Sequence, residues 1–211
     1  MKKYCFLLLL IAVALYSNGQ DIKGLLQKVK AKYDQVNDYT ATGKMKTNVV
    51  FIKAPVATVK VYYKKPDKLK IKNESGVSFV PKGSVNINMN NVLGLNNYEA
   101  IDGGEEKVNA SVCRVVKIFP ISDDESITRA TLYIDEKRML VLKSVISTKE
   151  NGTYELLMTY KKYEAYGLPD RAELTFNTKD YKLPKGITVD YDNGTSKDNN
   201  AEKLKNRKGK V

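Results

Sequence analysis

The stretch that decides the fold is VKVYYKKPDKLKI, residues 59–71. Large apolar or aromatic side chains stand at every second position of residues 59–63, and again at positions 69 and 71, with lysine or tyrosine between them. This period of two is typical of antiparallel strands with one solvated face. Pro66-Asp67 indicates a turn. The stretch therefore predicts two strands joined by a turn, with one apolar face and one lysine-rich face.

The same alternation recurs along most of the chain. Asn151-Gly152, between two such segments, is the strongest short hairpin signal. About ten strands at short, regular spacing predict one large curved antiparallel sheet or an open barrel, closed over by helical elements. The predicted strands cover residues 39–49, 58–64, 68–72, 98–102, 112–119, 130–135, 140–148, 153–163, 171–176 and 187–191.

One helix should precede the strands. Asp21 is a candidate N-cap, and apolar side chains recur after it at spacings of three and four as far as Val36. Asn37-Asp38 should end the helix. Its single apolar stripe predicts that one helical face covers another element. The stripe consists of Ile22, Leu25, Leu26, Val29, Tyr33 and Val36.

The first nineteen residues have the pattern of a secretory signal peptide. Lysines at positions 2–3 precede an apolar run from Phe6 to Leu15, and the small residues of Ser17-Asn18-Gly19 follow. The run is shorter than the roughly 20 residues that a transmembrane helix needs. We expect cleavage after Gly19 and export of the mature protein. No cysteine stands directly after this site, so we expect no lipid anchor.

The rest of the chain divides into a predicted folded domain, residues 20–192, and a basic tail, residues 193–211. The tail contains too few apolar residues to order itself, so we expect it to be disordered. Cys113 is the one cysteine after the predicted cleavage site, which excludes an internal disulfide. It lies within a predicted strand, and we expect a small buried apolar residue rather than a reactive thiol.

Residues 76–95 depart from this pattern, because Lys82 is their only charged residue. Glycine and proline interrupt large apolar side chains, and the middle is rich in asparagine. Two interpretations remain open. The segment is either a buried loop followed by a helical turn over Met89–Leu95, or a mobile apolar flap that covers a cavity.

The composition excludes several chemistries. The chain has no histidine, which rules out a Ser-His-Asp triad, a Cys-His dyad and a His-ligated metal site. No glycine-rich phosphate-binding motif is present. Asp123-Asp124-Glu125 lacks the ligand spacing of a calcium loop, and it is predicted to be a solvated turn, as is Glu105-Glu106. We therefore expect no enzymatic activity, no cofactor and no metal.

The chain is basic, with 36 Lys+Arg against 24 Asp+Glu and a formal net charge of +12. Export argues against nucleic acid as a partner, and the lysines alternate with apolar residues along strands rather than forming one run. They indicate either a solvated outer sheet face or attraction to an anionic membrane, worth about 1 kcal/mol per lysine near the surface.

Three parts of the sequence resemble the LolA/LolB superfamily of outer-membrane lipoprotein carriers. Residues 25–29 and 36–41 are similar to the family's leading helix and first strand. Residues 59–69 are similar to its second strand, basic-basic-Pro turn and third strand, and residues 174–176 and 183–189 to its closing segment.

The resemblance implies an α+β fold that is mainly β: an unclosed antiparallel half-barrel, capped by the leading helix and short lid helices, whose cavity holds acyl chains. It also implies that an arginine before the proline turn latches the lid. The matching residue is Lys65, which cannot make the planar bidentate contact of arginine. The family's inward aromatic after that turn corresponds to Leu69.

We therefore predict a periplasmic carrier, a chaperone that escorts acylated lipoproteins from an inner-membrane ABC-type exporter to an outer-membrane acceptor. It should be a monomer and bind no nucleic acid. The alternative is a non-transporting lipid- or protein-binding module of the same fold, used in envelope sensing or regulation. Beside Lys65 as the lid latch, the predicted cavity lining is Met45, Val59, Val61, Tyr63, Leu69, Ile71, Phe79, Ile87, Met89, Val92 and Leu93.

Overall fold

The computed structural model describes residues 21–46, 48–49, 52–53, 55–66, 68–76, 89–150 and 152–176. Several predictions concern residues outside these ranges: the signal peptide (1–19), the segment 183–189, the last strand (187–191), the tail (193–211), and the lining residues Phe79 and Ile87.

The described chain forms two α-helices, one short 3-10 helix and eleven strands. The helices are α1 (Ile22–Tyr33), α2 (Met89–Leu93) and the 3-10 helix Glu164–Tyr166. The strands are β1 (Asp38–Met45), β2 (Asn48–Val49), β3 (Ile52–Lys53), β4 (Ala57–Lys64), β5 (Lys68–Ser75), β6 (Tyr98–Val108), β7 (Ser111–Pro120), β8 (Ile127–Asp135), β9 (Leu140–Thr148), β10 (Gly152–Thr159) and β11 (Arg171–Phe176).

Helix α1 begins as predicted, with Asp21 as its N-cap. The Asp21 carboxylate accepts a hydrogen bond from the Gly24 N–H at 2.8 Å, which satisfies one of the unpaired donors of the first turn. The helix ends earlier than predicted, because Asp34 caps it after Tyr33 and leaves Val36 outside. Its buried residues are Ile22, Leu25, Leu26, Val29 and Tyr33.

All strand pairs of the described chain are antiparallel, and the strands form three separate sheets. The large sheet has six strands in the order β11-β10-β9-β8-β7-β6, and the small sheet has three in the order β1-β4-β5. β2 and β3 pair with each other alone. The prediction of an α+β fold with unclosed antiparallel sheets and a leading helix is confirmed for these residues. One continuous sheet is not observed there.

Strand β6 corrects two sequence predictions. It extends to Val108 instead of ending at residue 102, so Glu105-Glu106 lie in a strand rather than a turn. Gly103-Gly104 form a bulge in the pairing with β7 instead of a strand end. Gly104 has a φ of +82°, which glycine adopts readily, and a Cβ on Gly103 would lie 3.0 Å from Val115 Cγ1.

Strand β10 is also shorter than predicted, since it ends at Thr159 rather than residue 163. The chain then turns, because the Asp170 carboxylate accepts from the Lys161 N–H at 2.7 Å and the Asp170 N–H donates to Thr159 O at 2.9 Å. These bonds close the loop that carries the 3-10 helix. Tyr160 is consequently directed into the core, where it is 7% exposed.

The main core lies between α1, α2 and the large sheet. Val29 of α1, Val92 of α2 and Leu132 of β8 belong to one buried cluster and are almost fully shielded from solvent. Cys113 belongs to the same cluster and is fully buried, as predicted. No residue of the small sheet belongs to it. Within the described ranges, no helix is long and apolar enough to cross a membrane.

Candidate lipid-binding site

The small sheet has one predominantly apolar face, which we call the apolar sheet face. Strand register places its residues in four cross-strand rows, so the alternation read from residues 59–71 describes a real surface. The rows are Tyr39, Tyr63 and Leu69; Ala41, Val61 and Ile71; Gly43, Val59 and Asn73; and Met45 and Ala57.

Burial varies across the apolar sheet face. Val59 and Tyr63 are buried, at 4% and 7% exposure. Val61, Leu69 and Ile71 are only half-buried, and Met45 is half-buried as well. Because none of these residues belongs to the main core cluster, the face is an apolar surface additional to the core.

Two tyrosines lie together at one end of this face. The rings of Tyr39 and Tyr63 stack with centroids 5.2 Å apart. Burial raises the pKa of the Tyr39 hydroxyl, and the neighbouring Tyr63 adds to this effect. The Tyr63 hydroxyl donates to Pro66 O at 3.2 Å and accepts a hydrogen bond from Asn90 Nδ2. Tyr63 therefore links the small sheet to α2.

Sequence reasoning did not single out Asn90, although it noted the run of asparagines around it. The partner of Asn90 is 27 residues away along the chain, and no spacing rule connects the two positions. Three predicted lining residues on the same helix, Met89, Val92 and Leu93, are buried and belong to the main core cluster. These three residues therefore pack into the main core from the same helix whose Asn90 contacts Tyr63.

Lys65 joins the turn between β4 and β5 to the end of α1. Its N–H donates to Asn37 O at 2.8 Å, and its Nζ donates to Asp34 O at 2.8 Å. The same Nζ lies 3.2 Å from Asp34 Oδ1, and Lys30 also pairs with that carboxylate. The Lys65–Pro66 peptide bond is cis. Lys65 thus satisfies a terminal carbonyl of α1 and complements the negative end of its dipole.

These lysines set the ionisation of Asp34. Burial alone would raise the pKa of the Asp34 carboxyl, but the hydrogen bonds from Lys30 and Lys65 outweigh it and hold the pKa below its ordinary value. The lid-latch role of Lys65 stays a prediction, because residues 77–88 lie outside the described chain.

A shallow groove of about 430 Å³ opens beside this contact, between the end of α1 and the 3-10 helix. Tyr39 lines the groove and also belongs to the apolar sheet face, so the two surfaces adjoin. The groove was not predicted, since two of its seven lining residues, Tyr166 and Leu168, lie more than a hundred positions along the chain from the other five. Its lining is Gln35, Val36, Asn37, Asp38, Tyr39, Tyr166 and Leu168.

Other polar groups considered from the sequence do not gather here. Asp123 and Asp124 form an exposed turn, as predicted. Burial raises the pKa of the Cys113 thiol, which keeps it protonated. Within the described ranges, no three of the potential metal-ligating side chains come together.

No model of a known protein family matches the sequence, and no curated protein matches it either. Two of the solved structures with a similar fold are the following. A DUF1329 family protein from Desulfovibrio piger has a TM-score of 0.48 and 14% identity over 67% of this chain and 80% of its own. A "putative outer membrane lipoprotein-sorting protein domain" from Vibrio parahaemolyticus has a TM-score of 0.46 and 13% identity over 66% of this chain and 78% of its own. Structural similarity at this level of sequence identity does not identify a ligand for this protein.

Proposed function

We propose that this protein is a periplasmic carrier that binds the acyl chains of lipoproteins and escorts them from the inner to the outer membrane. The observation that supports it best is the apolar sheet face, which is separate from the main core and retains half-buried Val61, Leu69 and Ile71. Apolar surface left partly open to solvent is typical of binding sites.

The chemistry of this face suits an acyl chain. Burial of a methylene group contributes about 0.8 kcal/mol, so a long acyl chain can be held without any specific polar contact. Aliphatic residues on two neighbouring strands offer a surface that does not discriminate between cargo proteins. Such a site needs no catalytic group, and we assign the protein no enzymatic activity and no cofactor.

A carrier of this kind must receive and deliver its cargo. We propose an inner-membrane ABC-type exporter as the donor and an outer-membrane lipoprotein receptor as the acceptor. The predicted signal peptide supports a periplasmic location, and the absence of a cysteine directly after the expected cleavage site supports a shuttle rather than a lipid-anchored receptor.

A non-transporting lipid- or protein-binding module of the same fold is the second candidate. The polar links Lys65–Asp34 and Tyr63–Asn90 favour it, because they fix the small sheet against both helices. A sensor can hold a ligand in such a fixed arrangement, whereas a carrier must also release it.

The two candidates differ in what they do to membrane-bound lipoproteins. Spheroplasts carrying labelled lipoproteins would be incubated with the purified protein, and the supernatant analysed for released cargo. A carrier releases lipoproteins as soluble complexes, and mass spectrometry of the protein then detects acylated polypeptide bound to it. Bound lipid without any release would support the module and contradict the carrier.

Charge introduced on the apolar sheet face tests the binding surface. Leu69→Glu and Met45→Glu should each reduce bound acyl chains at least about ten-fold, because an ionised carboxylate would have to be desolvated against the ligand. Thr42→Glu is the matched control, since it adds the same charge to the opposite face of the same sheet. Unchanged lipid binding in both face variants, measured by mass spectrometry, would contradict this site.

A further inference from the structure

The opposite face of the small sheet carries an array of lysines, although they are dispersed in the sequence. Strand register brings them side by side, with Tyr62 among them. We call this surface the lysine face. Its basic residues are Lys44, Lys60, Lys64, Lys68, Lys70 and Lys72.

The charge of the lysine face is not neutralised within the described chain. None of its six lysines forms an ion pair there, whereas Arg114 contacts three carboxylates and Arg138 contacts two. The three strands of the sheet contain only two acidic residues, Asp38 and Glu74. Five of the six lysines are exposed, and Lys60 is half-buried. Unpaired cations at this density create a positive potential that attracts anions.

Tyr62 lies in the middle of the lysine face. Lys60 Nζ and Lys72 Nζ lie 5.6 Å and 5.8 Å from the centroid of its ring, which places both cations over the aromatic surface. Tyrosine has an apolar ring and a polar tip, a combination that is enriched where proteins meet the headgroup region of a membrane.

The nature of the cations indicates the class of partner. All six are lysines and none is arginine, whereas recognition of individual phosphates or carboxylates by fixed geometry favours the planar guanidinium. Successive lysines on one strand are about 7 Å apart and neighbouring strands about 5 Å apart, so the charges form a two-dimensional array. Lipid headgroups can rearrange to match such an array, and a bilayer surface needs no pre-formed pattern of acids.

We propose that the lysine face docks this protein onto an anionic lipid bilayer. The face is distinct from the apolar sheet face, because alternate residues of a strand point to opposite sides. Docking therefore does not depend on what the apolar sheet face binds, and it would hold the protein at the membrane surface whether or not it carries cargo.

Vesicle flotation with the mature chain, residues 20–211, tests this docking. Vesicles of phosphatidylcholine alone would be compared with vesicles containing phosphatidylglycerol. We expect binding to the anionic vesicles only, and its loss between about 0.1 M and 1 M salt, as the screening length falls from roughly 10 to 3 Å. Lys64→Gln/Lys70→Gln/Lys72→Gln should weaken binding at least about ten-fold, since each lysine near the surface favours it about five-fold. Lys70→Gln/Lys72→Gln should give an intermediate loss.

Two matched variants remove the same charge elsewhere. Lys23→Gln/Lys28→Gln/Lys117→Gln changes exposed lysines on α1 and on the large sheet. Lys203→Gln/Lys205→Gln/Lys208→Gln changes the C-terminal segment. An equal or greater loss in either control, or equal binding to neutral vesicles, would overturn the proposal. Tighter, face-dependent binding to single-stranded DNA or to an acidic polypeptide than to anionic vesicles would overturn the assignment of a membrane.

Discussion

The hydroxyl groups of Tyr33 and Tyr160 form a buried network that ties α1 to the large sheet. They lie 2.8 Å apart, Tyr160 donates to Val141 O at 2.8 Å, and the Val141 N–H donates to Tyr33 at 3.4 Å. Tyr160→Phe removes the acceptor of Tyr33 and the donor to Val141 O. Buried polar groups left without a partner are costly, so the free energy of unfolding should fall by about 1–3 kcal/mol in urea denaturation.

Tyr163→Phe is the matched control for this substitution. Tyr163 is 44% exposed, so loss of its hydroxyl should change the free energy of unfolding by less than about 0.5 kcal/mol.

The free energy of unfolding at alkaline pH gives a second measurement. Burial, followed by the neighbouring Tyr33, raises the pKa of Tyr160. Because the folded state holds this proton more tightly than the unfolded state does, the free energy of unfolding falls as the pH rises above the ordinary tyrosine pKa of about 10. Tyr160→Phe removes the titrating group, so the free energy of unfolding should fall less at alkaline pH. Equal effects of the two variants would contradict the network.

At this scale the sequence could predict which residues share a face but not which partners they meet. Alternation placed Val59, Val61 and Tyr63 together, because the period of a strand is a local property. The contact of Lys65 with Asp34 spans 31 positions. Such contacts depend on how elements pack, and no spacing within one element encodes them.

The start of α1 makes a prediction at the scale of an element. Gly24 would normally weaken a helix by about 0.5–1 kcal/mol relative to alanine. Here, however, a Cβ on Gly24 would overlap the Asp21 carboxylate that caps the helix. Gly24→Ala alone should therefore gain little or lose stability. In the background of Asp21→Ala, which itself should cost about 1 kcal/mol, the same substitution should stabilise the protein.

A double-mutant cycle measured by urea denaturation checks this expectation. The two substitutions should be non-additive, because each removes the same cap. If the effects were additive and Gly24→Ala were stabilising in both backgrounds, the close approach of Asp21 to Gly24 would have no effect on the stability of the helix.

Strand β6 shows why element boundaries are harder to predict than element types. The pair Gly103-Gly104 predicted a strand end, because paired glycines most often mark turns. The pairing with β7 continues on both sides of the bulge, and tertiary contact with Val115 determines the outcome. By contrast, Leu140–Thr148 and Arg171–Phe176 have the predicted bounds, since turn residues such as Asn151-Gly152 and Pro169-Asp170 mark their limits locally.

At the scale of the whole molecule, the two larger sheets of the described chain have unequal support. The large sheet provides the main core with α1 and α2, whereas the small sheet contributes no residue to it. The small sheet is linked to the helices through Lys65, which contacts Asp34 and Asn37, and through the contact of Tyr63 with Asn90. Elements with fewer buried apolar contacts open at lower free energy than the core does. Under the proposed function, a surface that admits and releases an acyl chain would gain from this arrangement.

Native-state hydrogen exchange tests this division. We expect amides of β1, β4 and β5 to exchange through openings at least about 2 kcal/mol less costly than those of β8 and β9. Lys65→Met should lower the opening free energy of the small sheet by about 1 kcal/mol and leave β8 and β9 unchanged, because it removes a hydrogen bond that joins the sheet to α1. The control is Lys64→Met, since Lys64 is exposed on the lysine face. If both sheets exchanged with one common free energy, the molecule would open as a single unit, which would contradict the unequal support of the two sheets.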